Sequence, residues 1–100
     1  MTQAQTIGHL INGEMINNDN RSQDVFNPAT GEATKKVALA SKQTVEQAIN
    51  AAEAAFPAWR NTPPLKRARV MFRFKELLEQ NSDKICQLIG EEHGKISHDA

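Results

Sequence analysis

Cys86 is the only cysteine of the chain and therefore the first side chain to consider for nucleophilic chemistry. A catalytic thiol must be ionised by a nearby cation or a helix amino terminus, and it needs a base within reach. Cys86 instead lies in a predicted helix between Ile85 and Leu88, beside an apolar stripe. We therefore predict a buried structural cysteine rather than a nucleophile.

Possible metal ligands cluster near the carboxyl end of the sequence. Two histidines of this cluster lie five residues apart, and side chains at that spacing do not share one face of a helix. Gly94 is also expected to end the helix between them. The pattern favours a solvated helix end over a metal site. The cluster consists of Glu91, Glu92, His93, His98 and Asp99.

A basic run, Lys66–Arg69 followed by Arg73 and Lys75, is the one local feature that could contact phosphate. The same predicted helix carries Glu76 and Glu79, and no stacking aromatic residues share the basic face. We interpret the run as an exposed surface with intrahelical ion pairs.

The glycines give no sign of a nucleotide-binding loop. Such a loop follows a strand, opens a helix and carries closely spaced glycines. Neither the G-x-G-x-x-G pattern nor the P-loop pattern occurs in the sequence. The residues alone therefore indicate no catalytic, cofactor-binding or metal site. The glycines are Gly8, Gly13, Gly31, Gly90 and Gly94.

The composition is that of a folded, soluble chain, with 39% hydrophobic and 24% charged residues. Twelve basic residues balance twelve acidic ones, which disfavours nucleic acid and anionic membranes as partners. Residues 1–6 lack the features of a targeting peptide, and no stretch approaches the roughly 20 apolar residues that cross a bilayer. The single cysteine fits a reducing compartment, so we predict a cytoplasmic protein.

Residues 1–40 are predicted to form strands and turns. Asn12 and Gly13 separate two short segments, 9–11 and 14–16, and this dipeptide tolerates the positive φ angles of a tight turn. The pattern predicts a β-hairpin.

A second turn is predicted at Asn27–Gly31, because Pro28 fixes φ and Gly31 supplies a permissive position. Extended segments are predicted on either side of it, at 24–26 and 34–39.

From Ser41, a plausible N-cap, the apolar period changes to that of a helix. Pro57 is expected to end or kink this helix, since proline lacks the amide that bonds back one turn. The stripe is as wide as a core-facing surface. It comprises Val45, Ala48, Ile49, Ala52, Ala55, Phe56 and Trp59.

Two further helices follow. The second is predicted from Pro63 to Gln80 with Thr62 as its cap, and the third covers 83–93 with Ser82 as its cap. Gly94 fits the left-handed position beyond the third helix. Residues 97–99 resemble the start of another helix, so we expect the chain to be part of a longer protein.

Five segments, in order, resemble the amino-terminal region of the aldehyde dehydrogenase superfamily. They are Ile11–Glu14, Asn27–Glu32, Phe56–Trp59, Arg67 in the second helix, and Glu92–Lys95. The resemblance covers nearly the whole chain from about Gly8. Within the superfamily, residues 70–78 and 91–95 are most similar to the CoA-acylating methylmalonate-semialdehyde branch, although succinate-semialdehyde and betaine-aldehyde relatives share most of these features.

The resemblance implies an α/β, aldehyde-dehydrogenase-like fold with an NAD-binding domain, a catalytic domain and an oligomerisation extension. Residues 1–100 would be the amino-terminal part of the NAD-binding domain, with the hairpin and strands in 1–40 and three helices in 41–96. The rest of the enzyme would lie outside them.

The resemblance also implies a reaction. A cysteine thiolate attacks the aldehyde, hydride passes to NAD, and the acyl group loses its carboxylate and passes to coenzyme A, giving propionyl-CoA from methylmalonate semialdehyde. The nucleophile, the glutamate base and the nucleotide-contacting residues belong to later segments of the family. We therefore assign no catalytic, cofactor-binding or metal residue here, and expect residues 1–100 alone to be inactive and to bind neither NAD nor coenzyme A.

The expected partners are a small aldehyde and further copies of the enzyme in a homodimer or homotetramer, not nucleic acid or membrane. A free-standing helical interaction module, whose apolar stripes dock a partner protein, is the alternative hypothesis.

Overall fold

The computed structural model describes residues 5–18 and 20–100, so the predictions that concern residues 1–4 and Asp19 lie outside the described residues. Within these residues five strands precede three helices; the last four strands and the helices follow the predicted order, whereas the first strand was not predicted. The strands are β1 (Gln5–Ile7), β2 (His9–Ile11), β3 (Glu14–Ile16), β4 (Ser22–Phe26) and β5 (Ala33–Ala38), and the helices are α1 (Lys42–Asn61), α2 (Pro64–Gln80) and α3 (Ser82–His93).

The predicted hairpin is confirmed. β2 and β3 pair antiparallel, with Ile11 opposite Glu14. Asn12 has a φ of 52° and Gly13 a φ of 77°, so both central residues are left-handed, as a two-residue turn of the twisted hairpin requires.

A separate sheet has the strand order β1-β5-β4. β4 and β5 are antiparallel neighbours across the turn at Asn27–Gly31, with a register shift between Val25 and Phe26. β1 pairs in parallel with β5, placing Ile7 opposite Val37. Sequence analysis predicted β5 but neither β1 nor this parallel pair, because β1 is only three residues long and lies far from β5 in the chain.

The cap of α1 is the predicted one, since Ser41 Oγ accepts a hydrogen bond from the Thr44 amide at 3.1 Å. Pro57, however, does not end the helix, which continues to Asn61. Proline removes one backbone bond, but the alanine-rich turns before it have high helix propensity. The helix therefore does not end at this proline, and the alternative that Pro57 kinks it stays a prediction.

Thr62 is the carboxyl-terminal cap of α1 and does not cap α2. Its hydroxyl donates to the Ala58 carbonyl at 2.8 Å and its amide to the Trp59 carbonyl at 3.1 Å, so it closes the preceding helix. α2 then begins one residue later than predicted, with Pro64 in the first helical position. Two successive prolines allow either assignment from sequence, and the bonds of Thr62 decide between them.

Ser82 is likewise the first residue of α3 rather than its cap. Asn81 occupies the cap position without a side-chain bond to the new helix, and its side-chain Nδ2 instead donates back to the Leu77 carbonyl at 2.8 Å. The end of α3 is as predicted, since Gly94 has a φ of 81° and donates to the Gly90 carbonyl. Beyond it, 97–99 form a turn.

The packed region lies where α1 meets the hairpin. Thr44 and Ile11 are buried, Ala48 and Ala51 are half-buried, and these small helix residues allow close approach to β2. The stripe predicted to face the core is covered only in part: its Ala48 is half-buried, but its large side chains remain exposed. They are Val45, Ile49, Phe56 and Trp59.

Among the described residues, no helix is both long enough and apolar enough to cross a membrane.

Candidate functional site

Cys86 lies on α3 between two open clefts and is half-buried, which corrects the prediction of a buried thiol. The thiol is half-exposed because the other described helices do not cover α3 on this side. One cleft, of about 400 Å³, has Asp83, Gln87 and Lys95 in its wall. The other, of about 290 Å³, is mainly aliphatic. No histidine lines either cleft in the described part of the chain, so the thiol has no imidazole base beside it.

The acidic and histidine residues near the end of α3 are not brought together. Within residues 5–18 and 20–100, no three metal-ligand side chains converge. Glu91 is instead engaged elsewhere, since Lys35 Nζ lies 3.3 Å from its Oε2 and the Gln87 side chain donates to its Oε1 at 3.1 Å. The left-handed Gly94 turns the chain away before His98.

The Lys35–Glu91 ion pair joins β5 to α3, and sequence analysis missed it. Beside it, the sheet and α3 leave an open cleft of about 490 Å³. Its mixed charges do not select one class of ligand. The lining residues are Gln5, Ile7, Lys35, Lys84, Leu88 and Glu92.

The basic run on α2 shows the predicted intrahelical pairs. Arg73 lies 3.2 Å from Glu76 and Lys75 3.5 Å from Glu79, and all four side chains are largely exposed. Arg67 differs from them, because it is half-buried and its Nε is shielded from solvent without a hydrogen-bond partner among the described residues.

Two of the motif segments contact each other. A Cβ at Gly94 would lie 3.0 Å from Pro28 Cγ, so the end of α3 packs directly on the turn after β4. That turn is held by Asn27, whose amide donates to the Glu32 carbonyl and whose side chain accepts from the Ala29 amide, both at 2.9 Å. The predicted turn is confirmed, and it supports the end of a helix distant in sequence.

Two large apolar faces are not covered by the described residues. The α1 face consists of Val45, Ile49, Phe56 and Trp59, which are 42–58% exposed. The α2 face consists of Val70, Met71, Phe74 and Leu78, which are 43–55% exposed. Contiguous apolar surfaces of this kind mark interaction sites. Within the described residues the arrangement thus supplies two apolar surfaces for packing.

Comparisons with known proteins point to one family. The profile of the aldehyde dehydrogenase family matches residues 15–100. A malonate-semialdehyde dehydrogenase from Pseudomonas aeruginosa is 64% identical over 95% of this chain and 19% of that protein. The acylating mitochondrial methylmalonate-semialdehyde dehydrogenase of Arabidopsis thaliana is 42% identical over 94% of this chain and 16% of that protein.

Solved structures agree. A methylmalonate-semialdehyde dehydrogenase from Oceanimonas doudoroffii matches with a TM-score of 0.92 at 74% identity, covering 95% of this chain and 20% of that one. Aldehyde dehydrogenase 21 from Physcomitrella patens, in complex with the reaction product succinate, matches with a TM-score of 0.86 at 26% identity, covering 98% and 20%. The chain therefore spans about a fifth of the length of these relatives, and the comparisons give no support to a free-standing interaction module.

Proposed function

The chain belongs to the aldehyde dehydrogenase family, and from this premise we propose that it is the amino-terminal part of an NAD-dependent enzyme that oxidises methylmalonate or malonate semialdehyde. The predicted α/β, aldehyde-dehydrogenase-like fold is confirmed by the structural matches. One observation carries the substrate proposal: identity is 64% and 74% to relatives named for these semialdehydes, against 26% to aldehyde dehydrogenase 21.

The proposed reaction has two parts. A thiolate supplied by a later segment adds to the aldehyde carbonyl, and hydride leaves the adduct for NAD, which produces a thioester. Loss of the substrate carboxylate as carbon dioxide and transfer of the acyl group to coenzyme A then give propionyl-CoA from methylmalonate semialdehyde, or acetyl-CoA from malonate semialdehyde. Assignment to the acylating branch is supported by the name of the Arabidopsis relative.

We propose that the described residues do not themselves form a dinucleotide site. The junction between β5 and α1, residues 39–41, contains no glycine, and the Thr44 amide at the start of α1 is already bonded to Ser41 Oγ. A phosphate at a helix amino terminus needs free amides and close backbone approach. We therefore derive no NAD contact from this chain and propose that its role is to complete the packing of the domain that binds NAD.

The proposal is tested by assaying the full-length enzyme with three aldehydes. We expect NADH formation with methylmalonate and malonate semialdehydes that depends on coenzyme A and yields the acyl-CoA products by mass spectrometry. Succinate semialdehyde is the matched control, because it also carries a carboxylate but has none positioned for loss as carbon dioxide. A higher kcat/KM for succinate semialdehyde would overturn the substrate assignment.

We further propose that the full-length enzyme is a cytoplasmic homodimer or homotetramer. The single cysteine supports a reducing compartment, although some relatives are named as mitochondrial enzymes. Light scattering of the purified enzyme and fractionation of the source cells test the two parts separately.

A further inference from the structure

Arg67 lies within the α2 face although it is charged. Val70, Met71 and Phe74 follow it at helical spacing on the same side of α2. Arg69, in contrast, is exposed and lies on the opposite side of the helix from Arg67. Whatever covers the α2 face must therefore also cover this guanidinium.

The Nε of Arg67 lacks an acceptor within the described residues. This nitrogen is shielded from solvent and makes no hydrogen bond, whereas the exposed Arg73 and Lys75 each pair with a glutamate of the same helix. Arginine does not lose its proton in proteins, so burial cannot be relieved by neutralisation. A buried arginine is accommodated only when an acceptor, best a carboxylate, meets its donors.

The length of the relatives indicates what covers the α2 face. This fold is retained with a TM-score of 0.92 inside a solved chain of which it forms only about a fifth. We propose that the α2 face docks onto the remainder of the same enzyme polypeptide, and that Arg67 is the polar anchor of this interface, paired with a carboxylate from that remainder. This inference rests on the proposed function only in assuming a full-length family enzyme.

An anchor of this kind makes a specific contribution. Hydrophobic contact is non-directional, so the apolar side chains of the face would not by themselves fix the position of α2 on the surface that covers it. A bidentate guanidinium–carboxylate pair fixes one orientation, because its parallel hydrogen bonds tolerate little displacement. Arg67 is thus a positioning residue for α2 and is not part of the catalytic chemistry.

The test uses the unfolding midpoint of the full-length enzyme. Arg67→Met keeps an apolar stem and removes the charge, which leaves the carboxylate buried and unpaired, and we expect the midpoint to fall by at least about 5 °C. Arg67→Lys keeps the charge and should lower the midpoint by less than half as much. Arg69→Met, on the exposed side of the same helix, should change it by no more than about 1 °C.

Two outcomes would overturn the proposal. Equal midpoints for Arg67→Met and Arg69→Met would show that no acceptor meets Arg67, and a larger loss for Arg67→Lys than for Arg67→Met would show that only the stem packs. If Arg67→Met yields no folded enzyme, Arg67→Lys against Arg69→Lys decides, because only the former should lower the midpoint. The measurement uses no aldehyde, so a wrong substrate assignment leaves its outcome unchanged.

Discussion

At the scale of single residues, Cys86 is the side chain whose role can be tested most directly. It is half-buried on α3 with no imidazole beside it in the described part of the chain. We predict that Cys86→Ser in the full-length enzyme leaves turnover within a few fold, with any loss traceable to stability. A fall of about a thousandfold with the fold intact would contradict this, since deletion of a catalytic group has effects of that size.

Gly94 allows a matched comparison with a second glycine. Gly94 and Gly31 both have left-handed φ angles, 81° and 73°, but only at Gly94 would a Cβ meet a neighbour, Pro28 Cγ at 3.0 Å. Each Gly→Ala change should cost about 1 kcal/mol for the left-handed backbone. We expect Gly94→Ala to cost measurably more, because its methyl group also crowds the proline.

Urea unfolding of the two full-length variants, side by side, measures this difference. Equal losses would mean that the turn yields to the extra methyl group and that the contact between α3 and Pro28 is loose.

Sequence alone predicted some of these single-residue features. Gly13 and Gly94 were assigned correctly because the left-handed backbone is a local requirement that few residues other than glycine meet. Thr62 and Ser82 were assigned as caps wrongly, since a hydroxyl near a helix boundary can bond to either helix. Arg67 was predicted wrongly to lie on an exposed basic surface, because the run was interpreted as a whole although its members lie on different sides of the helix.

At the scale of elements, prediction succeeded where the determinants are local. The hairpin follows from Asn12 and Gly13, and α2 follows from its proline start. The parallel pairing of β1 with β5 was missed, because it depends on contacts between distant segments of the chain. The Lys35–Glu91 pair was missed for the same reason.

The Lys35–Glu91 pair gives the element-scale prediction. Its side chains are 19% and 34% exposed, so solvent screens it only in part, and Lys35→Met in the full-length enzyme should lower the free energy of unfolding by about 0.5–1 kcal/mol. Lys75→Met is the control, because the Lys75–Glu79 pair is well exposed and its loss should cost almost nothing.

A double-mutant cycle with Glu91→Gln isolates the contribution of the pair from other effects of each change. A coupling energy of zero would mean that Lys35 and Glu91 contribute separately and that β5 and α3 are not joined by this contact.

At the scale of the whole molecule, the radius of gyration and the small number of buried residues both indicate a loosely packed chain. The radius of gyration is 17.2 Å, against about 13 Å for a compact domain of this length. Ile11 and Ala38 are the only buried hydrophobic residues in the described part of the chain. The sequence predicted that the apolar stripe of α1 faces a core, but its large side chains are exposed in the described part of the chain.

The uncovered faces lead to a prediction for residues 1–100 expressed alone. Each large apolar side chain that stays in water forgoes roughly 1.5–3 kcal/mol of burial, and a small domain has only about 5–15 kcal/mol of stability in total. The α1 and α2 faces together leave eight such side chains exposed. We therefore expect the isolated chain to be loosely packed or aggregated, with helices present, tertiary order lost and no NAD binding.

Near-ultraviolet circular dichroism of Trp59, urea unfolding and an NAD titration of residues 1–100 test this expectation. A soluble monomer with a sharp two-state transition would contradict the expectation, because it would show that the three helices and two small sheets suffice for a stable fold.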